Sequence, residues 1–380
     1  MKKIAQSIKA FSLAFMALAF CMSFGASTFA APAINEYDIP TAGSVPHGVA
    51  LGPDGNMWFT EFSANKIGVM ALNGTVLNEY TIPTSNSQPN SITAGPDGNM
   101  WFTEYGANRI AKITPTGTIT EYPITGGSNP HVITTGPDGN LWFTHIGGNN
   151  IGRITTSGVI TLFPVTTTGS EPYGITAGPD GNMWFTEHDG ANIGKITMSG
   201  AVSEYPLLGS PTRHPYDIVA GSDGSLWFAG EGGRISKITT AGVVTEYPSP
   251  SGSSSDPHGI TLGPDGNVWF TERNANKIGM ITPDGTITEY PIPTAGSAPF
   301  IIAKGPNNTI WFSESGANKI GVISGIVANV VTPASSSPVP QAPQTGFGPV
   351  QESSFKLPVL LAAVGSLLIA AGLAFRKLAQ

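Results

Sequence analysis

Seven tryptophans fall at positions 58, 101, 142, 184, 227, 269 and 311, separated by 43, 41, 42, 43, 42 and 42 residues. A repeat of that period means one supersecondary unit copied seven times, each copy burying an apolar face against its neighbours. The unit Ser91 to Thr125 shows its parts: S-I-T-A-G, P-D-G, N-M-W-F-T-E, a polar turn, N-R-I-A-K-I-T, P-T-G and T-I-T-E-Y-P-I-T. It reads as four short strands joined by three turns. The Pro-Asp-Gly turns follow from residue chemistry: proline presets φ, aspartate bonds the local backbone, and glycine accepts positive φ. That chemistry accounts for the aspartates without calcium. Trp and Phe at adjacent strand positions point to opposite faces, so both faces of each sheet carry a large ring. Together these features specify an all-β fold, a seven-bladed β-propeller with four-stranded blades. Glycine (48) and proline (32) outweigh a charged content of 11%, as short strands and tight turns require.

The seventh unit stops after Lys319-Ile320-Gly321-Val322-Ile323 without a T-I-T-E-Y-P strand, whereas the chain holds an orphan copy, Ile34 to Pro40, ahead of the first unit. The N-terminal strand is therefore expected to close the last blade and make residues 32–326 one domain.

Residues 1–31 read as a secretory signal peptide: Lys2, Lys3 and Lys9, an apolar run from Phe11 to Met22, then Ser27-Thr28-Phe29-Ala30-Ala31 as the cleavage region. Cys21 is the only cysteine, so the mature chain has no disulfide. Residues 327–356 form a Pro/Ser-rich spacer. Within it, Ala342-Pro343-Gln344-Thr345-Gly346 resembles the LPxTG sorting signal of Gram-positive surface proteins, with alanine for leucine. Residues 357–380 hold the apolar run Leu357 to Phe375 and the basic pair Arg376-Lys377, a C-terminal anchor with a cytoplasmic flank. The expected location is outside the cell, tethered to cell wall or membrane. Sortase processing and a retained transmembrane helix are the two routes.

Residues 31–350 carry 12 Lys and Arg against 24 Asp and Glu, a net charge of −12. Nucleic acid is excluded as a partner on that count, since it requires a basic surface. A small molecule, glycan or peptide is expected instead, bound by a monomeric propeller. The position after each recurring proline reads His47, Asn90, His131, Tyr173, Tyr216, His258 and Phe300. These residues start the innermost strands, so they converge at one mouth of the central channel and form the candidate ligand site. Affinity is expected to fall as pH drops through the histidine range near 6.5. A second ring, three residues after each tryptophan, reads Glu61, Glu104, His145, Glu187, Gly230, Glu272 and Glu314. The glutamates are expected to bond turn amides, with His145 joining the ligand set.

The repeated G-P-D-G-N-x-W-F-T-E, A-N-K-I-G and I-T-E-Y-P-I-P segments resemble the virginiamycin B lyase family over residues 34–324. That resemblance implies a magnesium-dependent carbon-oxygen lyase that linearises streptogramin B-type cyclic esters by proton abstraction and elimination. It also implies a site set: a histidine after proline in each of the last two blades, with a glutamate two residues before the second. A glutamate on the following strand and a tyrosine after the first proline complete it. Here His258 matches the first histidine, but Phe300 stands in place of the second, Ala298 and Ser315 in place of the glutamates, and His47 in place of the tyrosine. Phenylalanine accepts no proton, so the in-register base is missing. A one-blade rotation offers Asp256-Pro257-His258 with Glu272 on the next strand, leaving His258 as the catalytic candidate and Glu231 and Glu272 as candidate magnesium ligands. The expected function is a surface-displayed ligand-binding propeller; the alternative is a magnesium-dependent lyase with an altered site.

Overall fold

A computed structural model describes residues 32–207 and 214–327. The expected signal peptide, sorting-like motif and C-terminal anchor, and the expected spacer beyond residue 327, lie outside the described residues. Among the described residues no helix is long and apolar enough to cross a membrane. Of the two compact units of the chain, Met1–Val330 and Val331–Gln380, only the first contains described residues.

The first unit is seven four-stranded antiparallel sheets. Their innermost strands are Pro46–Leu51, Pro89–Ala94, Pro130–Thr135, Pro172–Ala177, Pro215–Ala220, Pro257–Leu262 and Pro299–Lys304. Successive innermost strands pack side by side around the ring, the first also touching the last. One short 3-10 turn, Ile146–Gly148, is the sole helical element among the described residues.

The second strand of each blade explains why sheets of this sequence stack. In Met57–Glu61 every residue is buried, and alternation sends Trp58 one way and Phe59 the other. Trp58 joins Met100 and Phe102 of blade two in one apolar cluster, whereas Phe59 joins Trp311 and Ile320 of blade seven. Each tryptophan ring is covered by the rim-strand aromatic of its own blade, as Trp101 is by Tyr122 at 5.6 Å. The Asp of the Pro-Asp-Gly turn goes beyond its backbone bond: Asp97 Oδ1 also accepts the indole N–H of Trp101 at 2.9 Å. The turn aspartate is thus a tryptophan cap, and in blade seven Thr309 takes the role. Gly68 has no room for a side chain, since a Cβ there would lie 2.1 Å from the Phe59 ring.

Closure occurs as the orphan strand requires. Ala33–Asp38 pairs antiparallel with Lys319–Ser324, Tyr37 opposite Ile320. Tyr37 stacks on Trp311, and Ile39 is buried in the cluster that joins blades seven and one. Glu36 accepts the backbone N–H and the hydroxyl of Thr294, both at 2.9 Å, and Asn318 Oδ1 accepts from Ser44. Burial of Tyr37 and Ile39 alone is worth roughly 3–5 kcal/mol. A chain beginning at Thr41 should therefore melt at least about 5 °C below the intact chain in a thermal scan followed by circular dichroism. Equal melting temperatures would show that the ring does not depend on this strand.

Candidate functional site

The mouth is built from the same strand that carries the tryptophan. Two residues beyond Trp58, on the same face, Thr60 donates its hydroxyl to the carbonyl of Asn90 in the next blade at 3.0 Å. The bridge recurs from Thr103 to His131 (2.8 Å), Thr144 to Tyr173 (2.7 Å), Thr186 to Tyr216 (2.5 Å), Thr271 to Phe300 (2.9 Å) and Ser313 to His47 (2.6 Å). Every acceptor is a residue following the recurring proline. The hydroxyls therefore fix the backbone of the candidate ring and hold its side chains over the channel.

The seven expected residues do meet, but they pack on one another. His47 Nδ1 bonds Asn90 Oδ1 at 2.8 Å, Asn90 donates to the His131 carbonyl, and Tyr173 Oη meets His258 Nε2 at 2.8 Å. His258 stacks between Tyr216 at 4.7 Å and Phe300 at 4.2 Å, and Phe300 touches His47 at 4.4 Å. His258 is 2% exposed and His131 6%. This is a stacked aromatic floor rather than an open cup. Burial drives the imidazoles neutral, His47 to about 4 and His131 to about 3, and holds His258 well below the usual histidine range. The expected loss of affinity near pH 6.5 is corrected accordingly, because these three rings carry no proton there.

A second tier stands above this floor, of which the sequence reading took up only single members, Glu231, Asp256, Ala298 and Ser315, and not the ring. Residues four after each tryptophan are Phe62, Tyr105, Ile146, His188, Glu231, Arg273 and Ser315, and those before each proline are Val45, Gln88, Asn129, Glu171, His214, Asp256 and Ala298. Each set contains seven different residue types. In every blade the two are joined by one backbone bond, for example Phe62 N–H to Val45 C=O at 3.2 Å and His188 N–H to Glu171 C=O at 3.0 Å. The signal available in the sequence was complete variation at fixed register, in a chain that otherwise repeats itself. The pairs segregate. Phe62 and Tyr105 cover His47 and His131 on one side. Blades four to six bring Glu171, His188, Asp189, His214, Glu231 and Asp256, with Arg273 lying 5.5 Å over the Phe300 ring. A cleft of about 130 Å3 opens among Glu231, Gly232, Ser253, Ser254, Asp256 and Asn274. Another cavity, about 230 Å3, lies away from this mouth, beside Tyr37, Pro306 and Trp311.

The ring three after tryptophan lies inside the blades. His145 is fully buried and its Nε2 meets Asn108 Oδ1 at 3.0 Å, so it belongs to this inner ring and not to the ligand set. The glutamates do not bond turn amides as expected. Glu61, Glu104 and Glu314 instead lie against the rim glutamates Glu79, Glu121 and Glu36, and it is those rim glutamates, such as Glu121, that accept a connector N–H, here from Thr84 at 3.0 Å. Burial first, then the neighbouring rim carboxylate, raises Glu61, Glu104 and Glu314 to about 8. Glu272 accepts from Ser249 in this buried layer, whereas Glu231 stands exposed at the mouth beside His214. The two candidate magnesium ligands thus occupy different layers, and the residue of blade six that faces the mouth is Arg273. With Ala298 and Ser315 bringing no carboxylate to blade seven, the residues at the expected places do not fit a magnesium ion.

Blade five departs from the others. Ala229 replaces the bridging threonine, so the His258 carbonyl receives no hydroxyl among the described residues. Asp217 supplies a substitute tie: its carboxylate accepts from Ile218 N–H at 2.9 Å and from Ile260 N–H of blade six, while burial raises it to about 7. Sequence reasoning missed Asp217, although it is the one acid within an innermost strand.

The profile of the Virginiamycin B lyase family matches residues 26–269 and 208–342. The chain belongs to this family. A streptogramin B lyase structure is similar at 38% identity and a TM-score of 0.73, covering 77% of this chain and 97% of the other. Selenomethionine-substituted virginiamycin B lyase from Staphylococcus aureus gives 38% and 0.74, with 77% and 99% covered. A catalytically inactive variant of the S. aureus enzyme with quinupristin gives 38% and 0.73 over the same shares. Against that family's pattern, Phe300 is packed between two imidazoles, and Ser315 Oγ donates to the Ala298 carbonyl at 2.8 Å. At the mouth positions 298, 300 and 315 blade seven presents neither base nor acid.

The buried groups set opposite pH slopes. For the raised carboxyls the folded state keeps protons that the unfolded chain releases near 4.5, so stability is lost as pH climbs toward 8. For the depressed histidines stability is present above 6.5 and lost as pH falls through their folded values. Above about pH 7.5 the unfolded chain's histidines are neutral too and the carboxyls act alone, so between pH 7.5 and 8.5 the melting temperature should fall, with a shallower slope in Glu104→Gln. A melting temperature that stays level or rises across that window would contradict these assignments.

Proposed function

We propose that this chain is a ligand-binding propeller displayed outside the cell, with its site at the mouth formed by the second tier above the His/Tyr/Phe floor. The observation that carries this reading is the pairing of seven different residues before proline with seven different residues after tryptophan, divided into an aromatic side and a charged side. A ring of near-identical blades gains an asymmetric outer surface there, above a floor whose varied side chains are largely packed on one another. Phe62, Tyr105 and Ile146 offer apolar and stacking contact, and the acids of blades four to six offer acceptors to donor or cationic groups. An amphipathic, ring-bearing small molecule or short cyclic peptide fits both sides at once. Glycans fit less well, because the aromatic side has few polar partners for hydroxyls. The signal sequence, spacer and anchor read from the sequence support display at the cell surface.

The second reading is a carbon-oxygen lyase with a displaced site. It draws on two imidazole-carboxylate pairs with half-buried rings and exposed acids, His188 with Asp189 and His214 with Glu231, each at 2.9 Å. Such pairs are the common form of a general base. They stand in blades four and five, away from the blades in which the family pattern places its histidines.

The full chain, purified in detergent and incubated with a streptogramin B and magnesium, should leave the ester intact by mass spectrometry. Binding of the same compound, followed by tryptophan-independent calorimetry, should weaken about tenfold in a Phe62→Ala/Tyr105→Ala variant of unchanged melting temperature, a loss of roughly 1.4 kcal/mol. Robust linearisation would replace the binding reading with the lyase. Ligands from a metabolite panel that bind wild type and variant equally would place the site elsewhere.

A further inference from the structure

We infer that Glu171, His188, Asp189 and His214 form a binding site for one divalent first-row transition-metal ion, of the zinc type, at the mouth between blades four and five.

The donor atoms already converge. One ligand atom from each of Glu171, His188 and Asp189 lies within 4.8 Å of the other two. His188 Nδ1 is 2.9 Å from Asp189 Oδ1 and 3.8 Å from Glu171 Oε2. Ligands about 2.0–2.2 Å from a common zinc ion stand roughly 3–3.5 Å apart, so His188 and Asp189 already stand near that spacing and Glu171 closes on them by side-chain rotation. The backbone of this group is held in place: His188 N–H bonds the Glu171 carbonyl at 3.0 Å, and Asp189 N–H bonds the Ser170 carbonyl at 3.1 Å.

An independent feature comes from the next blade. His214 lies against His188 with ring centroids 4.4 Å apart, and its Nε2 is 3.9 Å from the same Asp189 oxygen; because an imidazole binds a metal in its own ring plane, His214 turns out of the stack to reach the shared ion. Its other nitrogen, Nδ1, meets Glu231 Oε2 at 2.9 Å. A carboxylate that accepts the Nδ1 proton fixes the tautomer and leaves the Nε2 lone pair free, the outer-shell arrangement found behind metal-ligating histidines. Glu231 therefore has a role here as the orienting partner of a ligand rather than as a ligand itself. Two imidazoles and two carboxylates neutralise a dication and suit zinc, cobalt or manganese better than magnesium, which prefers an all-oxygen shell. Blade four is also the only blade in which the residue before proline and both residues four and five after tryptophan are all potential ligands. The site lies in blades four and five, whereas the family pattern places its histidines in blades six and seven, and it stands apart from the small-molecule reading because the metal is measured alone.

The test uses the full chain in detergent, stripped with a chelator and titrated with Zn2+ by calorimetry and with Co2+ by visible absorption. The expected result is one ion per chain, with a cobalt spectrum of mixed nitrogen and oxygen ligation that zinc abolishes. His188→Ala and Asp189→Asn should each weaken affinity at least tenfold, and Glu231→Gln about tenfold with the stoichiometry kept. His145→Gln, in the buried ring, should leave affinity unchanged. Melting temperatures of the variants separate loss of a ligand from loss of fold. Absence of saturable binding, binding that survives a His188→Ala/His214→Ala double substitution, or equal competition by Mg2+ would each overturn the assignment.

Discussion

The strand that carries Trp, Phe and Thr in succession is the constraint on which this molecule rests. Strand alternation gives it two faces, and the ring closes because each face meets its complement on the adjoining blade. Trp58 and Thr60 share one face, so a single strand supplies both the apolar wedge between blades and the hydroxyl that grips the next innermost strand. The wedge supplies most of the stabilisation, since burial of large rings dominates such interfaces. The hydroxyl sets position, because its acceptor is the carbonyl of the residue that faces the channel mouth. Blade five shows the dependence by exception: where Ala229 removes the hydroxyl, Asp217 reaches the backbone of blade six instead.

Conformational strain accumulates at the same place. Six residues before the recurring proline have positive φ, including Val45 at 51°, Glu171 at 52° and Asp256 at 55°. A β-branched residue avoids this region, and each such position costs on the order of 1–3 kcal/mol. The bond from the residue four after tryptophan to the strained residue's carbonyl holds each of them. The backbone is thus uniform and strained while the side chains differ in every blade. A scaffold with these properties presents a rigid, asymmetric surface without altering its core, and it explains how a family member can lose the blade-seven acid and base yet keep its fold.

Much of the site was legible at the level of register and little of it at the level of depth. The ring after proline was readable, and its seven members do converge. That they stack into a floor was not readable, because burial of His131 and His258 depends on the tilt of seven strands and on contacts such as Tyr173 to His258, which joins residues 85 apart in sequence. The glutamates three after tryptophan looked like polar anchors, yet they are buried beside rim glutamates, since the strand end tucks beneath the connector of its own blade. His145 followed them inward. The residue one position later faces the mouth, and that one-residue difference exchanges Glu272 for Arg273 and removes the expected magnesium pair.

By itself the sequence determined the blade count, the four-stranded unit, the closing strand and the family, because each follows from short-range periodicity that survives any detail of packing. The apolar wedge needs only a large ring on each face at a fixed interval. Tertiary structure alone decided which polar residues meet one another, which imidazoles are neutral, and which acids stand in water. Those outcomes depend on distances between blades, and in a closed ring those distances are set by all seven interfaces together. The cluster of Glu171, His188, Asp189 and His214 is the clearest case: in sequence they are four unremarked polar residues in two copies of a repeat, and only the curvature of the ring brings the fourth against the other three.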